Sequence, residues 1–138
     1  MIDTLFHNLL ASLPVFLLQF GVTLVVLVIG VLVYQFFTPI HEVKEIERGN
    51  HAAALSFAAI LLGLALPLAV CLAHSVNVAD IVLWGVVAVV LQLAAYFTVE
   101  RVFRDLAKRI EQGDMAAATA LSATQLAIAM LNAAAVSG

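Results

Sequence analysis

Four long apolar stretches, separated by short polar segments, dominate the pattern of hydrophobic and polar positions along the chain. A helix needs about 20 mainly apolar residues to cross the hydrocarbon core of a bilayer. Four segments reach that length without any Asp, Glu, Lys or Arg: Val15–Phe37, Ala52–Ala73, Ile81–Val99 and Met115–Val136. The pattern therefore predicts an all-α membrane protein, a four-transmembrane-helix bundle that forms a single domain over residues 1–138.

Residues 2–13, before the first span, have apolar residues at helical spacing on one face only. One face is apolar and the other carries Asp, Thr, His, Asn and Ser; the apolar face consists of Ile2, Leu5, Phe6, Leu9, Leu10 and Leu13. That pattern is typical of an amphipathic helix lying in the membrane interface, and Pro14 is tolerated in the first turn of a new helix. An extension of the first span is the alternative, and the sequence leaves both open.

The basic residues predict the orientation of the spans. All six lie between the first and second spans or between the third and fourth: Lys44, Arg48, Arg101, Arg104, Lys108 and Arg109. Because basic residues near span ends stay in the cytoplasm, both charged loops are predicted to be cytoplasmic and both termini to lie outside. The first residues carry no Lys or Arg, unlike a secretory signal, so the first span is expected to be permanent.

A shift of 64 residues aligns the two halves of the chain without gaps. Residues 43–50 (VKEIERGN) then lie over residues 107–114 (AKRIEQGD), with Lys, Ile, Glu and Gly at matching places. Polar matches at a single offset indicate tandem duplication of a two-helix hairpin, with repeats over about residues 13–74 and 77–138. Units of two spans are parallel repeats, unlike the inverted repeats of many transporters.

Each repeat has a polar corner between its two spans. The residues concerned are Glu47, Gly49 and Asn50 in the first corner and Glu111, Gly113 and Asp114 in the second. Gly suits the left-handed residue that closes a helix, and Asn or Asp suits the N-cap of the next. Residues 41–48 and 101–112 are predicted to continue the spans as helices. Capping does not explain the matching Glu residues, so binding of a cation or partner protein at the corners stays open.

Polar residues also occur within the second repeat's spans, where the first repeat has apolar or small residues. Gln92 and Tyr96 share one face of the third span, and Ser122, Gln125 and Asn132 form a stripe on the fourth. This polar stripe predicts a hydrated path or a contact between protomers, or else interhelical hydrogen bonds, which contribute about 0.6 kcal/mol each in membranes.

The amino-acid composition excludes several classes of function. The chain is 64% hydrophobic and 11% charged, with a mean hydropathy of +1.13, and a soluble domain of this size could not bury so much apolar surface. The net charge of −3 provides no basic field for nucleic acid. The sequence shows no nucleophile pattern, phosphate loop, Ca²⁺-loop spacing or Cys/His cluster. We therefore expect no enzyme activity, no cofactor and no metal.

The two tandem corners carry a resemblance to a known family. Residues 47–54 (ERGNHAAA) and the weaker copy at residues 111–118 (EQGDMAAA) resemble the YjfL family of bacterial inner-membrane proteins, a domain-of-unknown-function family, and the resemblance runs from about Leu13 to Val136. It implies an inner-membrane location and a link to envelope maintenance. It implies no activity and no established functional residues.

Two functions of different classes follow as hypotheses. In the first, the protein is a non-enzymatic scaffold or adaptor in the lipid bilayer, a homo-oligomer whose charged corners bind a cytoplasmic protein. In the second, it is a subunit of a small ion- or solute-conducting channel lined by the polar stripe. The lack of charged residues within the spans favours the scaffold, because intramembrane ion relays usually depend on them.

Overall fold

The computed structural model describes residues 1–74 and 77–138, and all regular secondary structure in this part of the chain is helical. It contains six helices: α1 (Ile2–Phe37), α2 (Glu42–Glu47), α3 (His51–His74), α4 (Val78–Val102), α5 (Leu106–Glu111) and α6 (Met115–Ser137). The four long helices, α1, α3, α4 and α6, are long and apolar enough to cross a membrane. The predicted four-helix membrane architecture is thus present.

The short helices α2 and α5 lie at one end of the bundle, which we call the corner end. Residues 38–41 and 103–105 are not helical and separate α2 and α5 from the preceding spans. The prediction that residues 41–48 and 101–112 continue the spans as helices is therefore wrong at residue 41 and at residues 103–105. At the first break Thr38 is extended (φ −104°, ψ 140°), as expected before Pro39. At the second, Asp105 has the left-handed φ of 59°.

The bundle is built around a close pair, α3 with α6, and α4 packs against both of these helices as well as against α1. Small side chains line the α3–α6 contact, and buried examples are Ala52, Ala53, Ala59, Ala117, Ala118 and Ala129. Small residues let helix backbones approach closely, which is how helices associate in lipid without a hydrophobic driving force. The Ala-rich composition of α3 and α6 therefore places them at the centre.

Helix α1 is much longer than a span requires. Its 36 residues extend over about 54 Å, against a hydrocarbon core of about 30 Å. Residues 2–13, for which an interfacial helix and an extension of the first span were both open, form its first third, and Pro14 lies inside the helix. Residues 1–18 are all exposed. Their placement relative to the bilayer stays a prediction.

An apolar groove of about 900 Å³ runs between α1 and α4. It extends from Leu17 to Phe37 along α1, a length of about 30 Å at 1.5 Å per residue. Gly21 lines the groove, and a Cβ added there would meet nothing within 4 Å. At Gly85, in contrast, an added Cβ would collide with Val26 of α1. The two helices therefore touch at Gly85 and leave open space at Gly21.

Candidate functional site

Both corners close with the same backbone geometry. Gly49 (φ 82°) and Gly113 (φ 85°) are left-handed, and the following residue donates its backbone N–H back across the helix end, Asn50 to Glu45 and Asp114 to Arg109, each at 2.9 Å. This is the Schellman arrangement, in which Gly avoids the steric cost of a left-handed residue. The capping roles that the sequence predicts for the two glycines are present.

Asn50 and Asp114 then begin the next helix. The Asn50 side chain accepts from the backbone N–H groups of Ala52 (3.0 Å) and Ala53 (3.3 Å), and Asp114 accepts from Ala116 and Ala117. The backbone N–H of Ala117 and the Arg109 side chain lower the pKa of the Asp114 carboxyl. Because this carboxyl is stabilised when ionised, its contribution to stability is lost as the pH falls through that lowered pKa.

The corners contact each other through only one of these two caps. Asn50 Nδ2 donates to the backbone carbonyls of Ile110 (2.9 Å) and Glu111 (3.1 Å), whereas the Asp114 carboxylate pairs with Arg109 on its own corner at 2.8 Å. Glu47 is exposed and Glu111 is half-buried. A partner-binding role for the two matching glutamates stays a prediction.

The polar stripe predicted on the third and fourth spans faces the interior of the bundle. Gln92, Gln125 and Tyr96 are at most 1% exposed, Ser122 5% and Asn132 6%. Gln92 Nε2 donates to the backbone carbonyls of Gly63 (3.3 Å) and Gln125 (3.0 Å), so it joins α4 to α3 and α6. This placement agrees with the interhelical hydrogen-bond alternative.

The other residues of the stripe take separate positions. Ser122 Oγ donates to the Leu55 carbonyl at 3.4 Å. Tyr96 packs edge-on against Tyr34, with ring centroids 6.2 Å apart. Asn132 lies two turns beyond Gln125, away from the corner end. The structure therefore joins Gln92, Gln125 and Tyr96 in one region and leaves Ser122 and Asn132 outside it.

Sequence reasoning missed the residues that complete this region. Gln125 donates to the Tyr34 hydroxyl, and the Glu42 carboxylate accepts from Gln35 Nε2 (3.1 Å) and Ser56 Oγ (3.3 Å). We call the full set the polar cluster: Tyr34, Gln35, Glu42, Ser56, Gln92, Tyr96 and Gln125. The signal that could have found Glu42 is the 64-residue offset, which places it over Leu106.

Glu42 has the most unusual environment in the polar cluster. It is the first residue of α2, lies just beyond the first span and is 0% exposed. Burial raises the pKa of the Glu42 carboxyl, and the hydrogen bonds from Gln35 and Ser56 oppose that rise. Burial at the first corner thus shifts this carboxyl group toward its neutral form relative to a glutamate in water.

Three oxygens of the polar cluster remain without a hydrogen-bond partner among the described residues: Gln92 Oε1, Tyr96 OH and Gln125 Oε1. Buried polar atoms are nearly always paired with protein or water, so this cluster of unpaired oxygens is exceptional. No group of three or more His, Cys, Asp or Glu side chains suited to a metal ion occurs in the described ranges.

Four long apolar helices with buried polar residues, Gln92 and Gln125 among them, inside the bundle define the chain as a multi-pass α-helical membrane protein. Its residues 8–136 match the family model described as Domain of Unknown Function (DUF350), and the chain belongs to that family. It is 31% identical over 127 residues to the UPF0719 inner membrane protein YjfL of Escherichia coli K12, covering 92% of this chain and 96% of the relative.

The same inner membrane protein from Escherichia coli O157:H7 matches with the same identity and coverage. The predicted membership of the YjfL family is therefore confirmed, and the chain is a multi-pass inner-membrane protein. No solved structure matches the chain.

Proposed function

We propose that this protein is a non-enzymatic membrane scaffold that assembles with copies of itself through the groove between α1 and α4. The observation that carries the proposal is the arrangement of surfaces. The residues of the polar stripe turn into the bundle, whereas the groove is lined by apolar residues along its whole length. This apolar surface supports a role through lateral contacts within the bilayer.

The occupant we propose for the groove is a second copy of the chain. The groove is about 30 Å long, which equals the full hydrocarbon thickness, so a transmembrane helix fills it, whereas a lipid chain reaches across only one leaflet. Gly21 offers the open, side-chain-free surface that close helix packing in membranes uses. Two copies with the same orientation would meet around a two-fold axis, each presenting α1.

The corner end is the side on which this scaffold would bind a cytoplasmic protein. All six Lys and Arg residues of the chain lie there, which supports a cytoplasmic corner end and both termini in the periplasm. The order long helix, six-residue helix, long helix occurs twice. That order, with the two matching corner geometries, supports the tandem duplication of a two-helix hairpin.

The alternative, a subunit of a small channel, receives less support. A pore shared between protomers would need the polar stripe on an outer face of the bundle. Gln92, Gln125 and Tyr96 are instead buried within one chain. Their hydrogen bonds connect helices of the same bundle, so lining a shared pore would require the bundle to open.

Gly21→Leu should abolish self-association without harming the single chain. Nothing lies within 4 Å of an added Cβ at Gly21, and replacing a mid-helix Gly raises helix propensity by up to about 1 kcal/mol. The leucine would fill the groove against a second copy. Native mass spectrometry in lipid discs should show an oligomer for the wild type and a monomer for the variant.

Ala127→Leu is the matched control, because Ala127 is exposed on α6 and does not line the groove. It should keep the wild-type subunit number. An unchanged subunit number in Gly21→Leu would contradict a self-association role for the groove. A wild-type monomer that retains bound phospholipid would assign the groove to lipid, and the scaffold would then have to act through its corners.

A further inference from the structure

The first corner contains a buried acidic residue, Glu42, at a position where the second corner has an apolar residue. Glu42 is the first residue of α2, and Leu106, 64 positions later, is the first residue of α5. Both are 0% exposed. The partners of Glu42 have apolar counterparts too, because Val99 stands at the position of Gln35 and Ala120 at that of Ser56. A corner of this shape can therefore pack with leucine.

The groups that face Glu42 are neutral. Gln35 and Ser56 donate to its carboxylate from α1 and α3, and the phenols of Tyr34 and Tyr96 lie within electrostatic reach on α1 and α4. The ion pairs of the described residues are Arg48–Glu45 and Arg109–Asp114. Glu42 thus has no cationic partner in the part of the chain that the structure describes.

The charged groups near this site do not neutralise it. His41 and Lys44 are exposed and line a small cleft of about 190 Å³ together with Gln35 and Glu42, and neither of the two basic side chains forms an ion pair with Glu42. Glu100 of α4 and Glu111 of α5 act on Tyr96 and add negative charge on the inner side. An ionised Glu42 would therefore be a buried charge that is stabilised by two neutral hydrogen-bond donors and by no cation of the described residues, which makes ionisation unfavourable relative to water.

We propose that Glu42 is a proton-binding site, whose carboxyl holds a proton in the closed bundle and releases it to water when α2 moves away from α1 and α3. The released proton leaves a carboxylate that must stay hydrated, so the deprotonated form holds the corner open. The site would make the first corner, one of the two surfaces available to a cytoplasmic partner, sensitive to proton binding. The second corner, with Leu106, has no such response.

The sign of the pH dependence follows from burial, which raises the pKa of Glu42 in the folded state. A raised folded-state pKa means that the folded chain binds the proton more tightly than the unfolded chain does. The contribution to stability is complete below the ordinary pKa of a glutamate and is lost as the pH rises through the raised value. Across that window the unfolding equilibrium constant should increase by up to tenfold per pH unit.

Infrared spectroscopy of the purified protein in lipid tests the proton directly. The chain has nine Asp and Glu residues, and only Glu42 is fully buried. As the pH is raised, the wild type should keep one protonated-carboxyl band to a higher pH than its exposed carboxyl groups do; Glu42→Gln should lose that band, and Glu47→Gln, at an exposed site on the same helix, should retain it. Loss of every protonated-carboxyl band of the wild type in the pH range of its exposed carboxyl groups would overturn the proposal.

Thermal unfolding in detergent between pH 5 and pH 8 provides an independent readout. The wild type should lose stability as the pH rises, whereas Glu42→Leu, which copies the second corner, should fold and show a flatter profile. An identical slope in the two proteins would contradict the proposal. If Na⁺ or K⁺ stabilised the wild type at constant pH and not Glu42→Leu, the site would bind a metal cation instead of a proton.

Discussion

Asn50→Asp should destabilise the protein by about 2 to 4 kcal/mol, although Asp is as good an N-cap as Asn. The cap to Ala52 and Ala53 survives, because a carboxylate oxygen accepts these bonds equally well. The stability is lost at the other end of the amide group, its nitrogen. Asn50 Nδ2 donates to the carbonyls of Ile110 and Glu111, and an Asp there would place a carboxylate oxygen against two carbonyl oxygens.

The estimate combines two effects. Two hydrogen bonds are worth about 0.5 to 1.5 kcal/mol each, and leaving their half-buried partners unsatisfied adds to that loss. The Glu45 carboxylate, which now accepts from Asn50 at 3.3 Å, would also face a second negative charge. Because these bonds join the first corner to the second, the variant should loosen the whole corner end.

Asp114→Asn is the matched control, since it exchanges the same two residue types at the other corner. Asp114 makes no corresponding bond to the first corner among the described residues and pairs with Arg109 beside it, so Asn there should keep the cap and lose only that half-buried pair. Unfolding by SDS in mixed micelles gives both free energies. Equal losses in the two variants would show that Asn50 acts only as a cap and that the contact between the corners contributes nothing.

Local features of the fold could be predicted from the sequence because they depend on neighbouring residues. Apolar length alone marks the four spans, and the Gly-Asn and Gly-Asp steps at Gly49 and Gly113 specify left-handed closure followed by a cap. The breaks before α2 and α5 were not predicted. Pro39 gave a usable signal for the first, whereas the left-handed Asp105 at the second has no local marker.

The polar cluster could be predicted only in part, because its members come from different helices. Gln92 and Tyr96 stand out as polar residues in an apolar span, and so does Gln125. Glu42 looks like one more charged residue of a cytoplasmic loop. Glu42 is buried because α2 packs against α3, and no spacing of residues in the sequence predicts that packing. The polar difference between Glu42 and Leu106 is visible only when the two repeats are compared.

The exposed face of α1 could not be predicted from hydrophobic periodicity either. Apolar residues occupy every side of α1 from Val15 to Phe37, and the few polar ones, Gln19, Thr23, Tyr34 and Gln35, do not mark one face as the one that packs. The structure selects the contact through Gly85 of α4, where α1 can approach closely, and leaves Gly21 open. Which glycine is used and which is free is a tertiary property that only the packed helices reveal.

Gly85→Val should separate α1 from α4 and destabilise the bundle by about 2 to 3 kcal/mol. A side chain there would collide with Val26 of α1 and contact Leu68 of α3 at 3.5 Å. A helical Val has one strongly preferred χ1 rotamer, so Val26 cannot turn aside and the helices must move. Overpacking of this kind typically costs 1 to 3 kcal/mol, and SDS unfolding measures it.

Gly21→Val is the internal control, because Gly21 stands 64 residues before Gly85 and has nothing within 4 Å of an added Cβ. In the isolated chain it should change stability by less than about 0.5 kcal/mol, since a valine is accommodated in open space and has a better helix propensity than glycine. The two variants make the same chemical change at corresponding positions. If both were equally disruptive, α1 would lie against α4 at Gly21 as well, and the groove would have no room for a second copy.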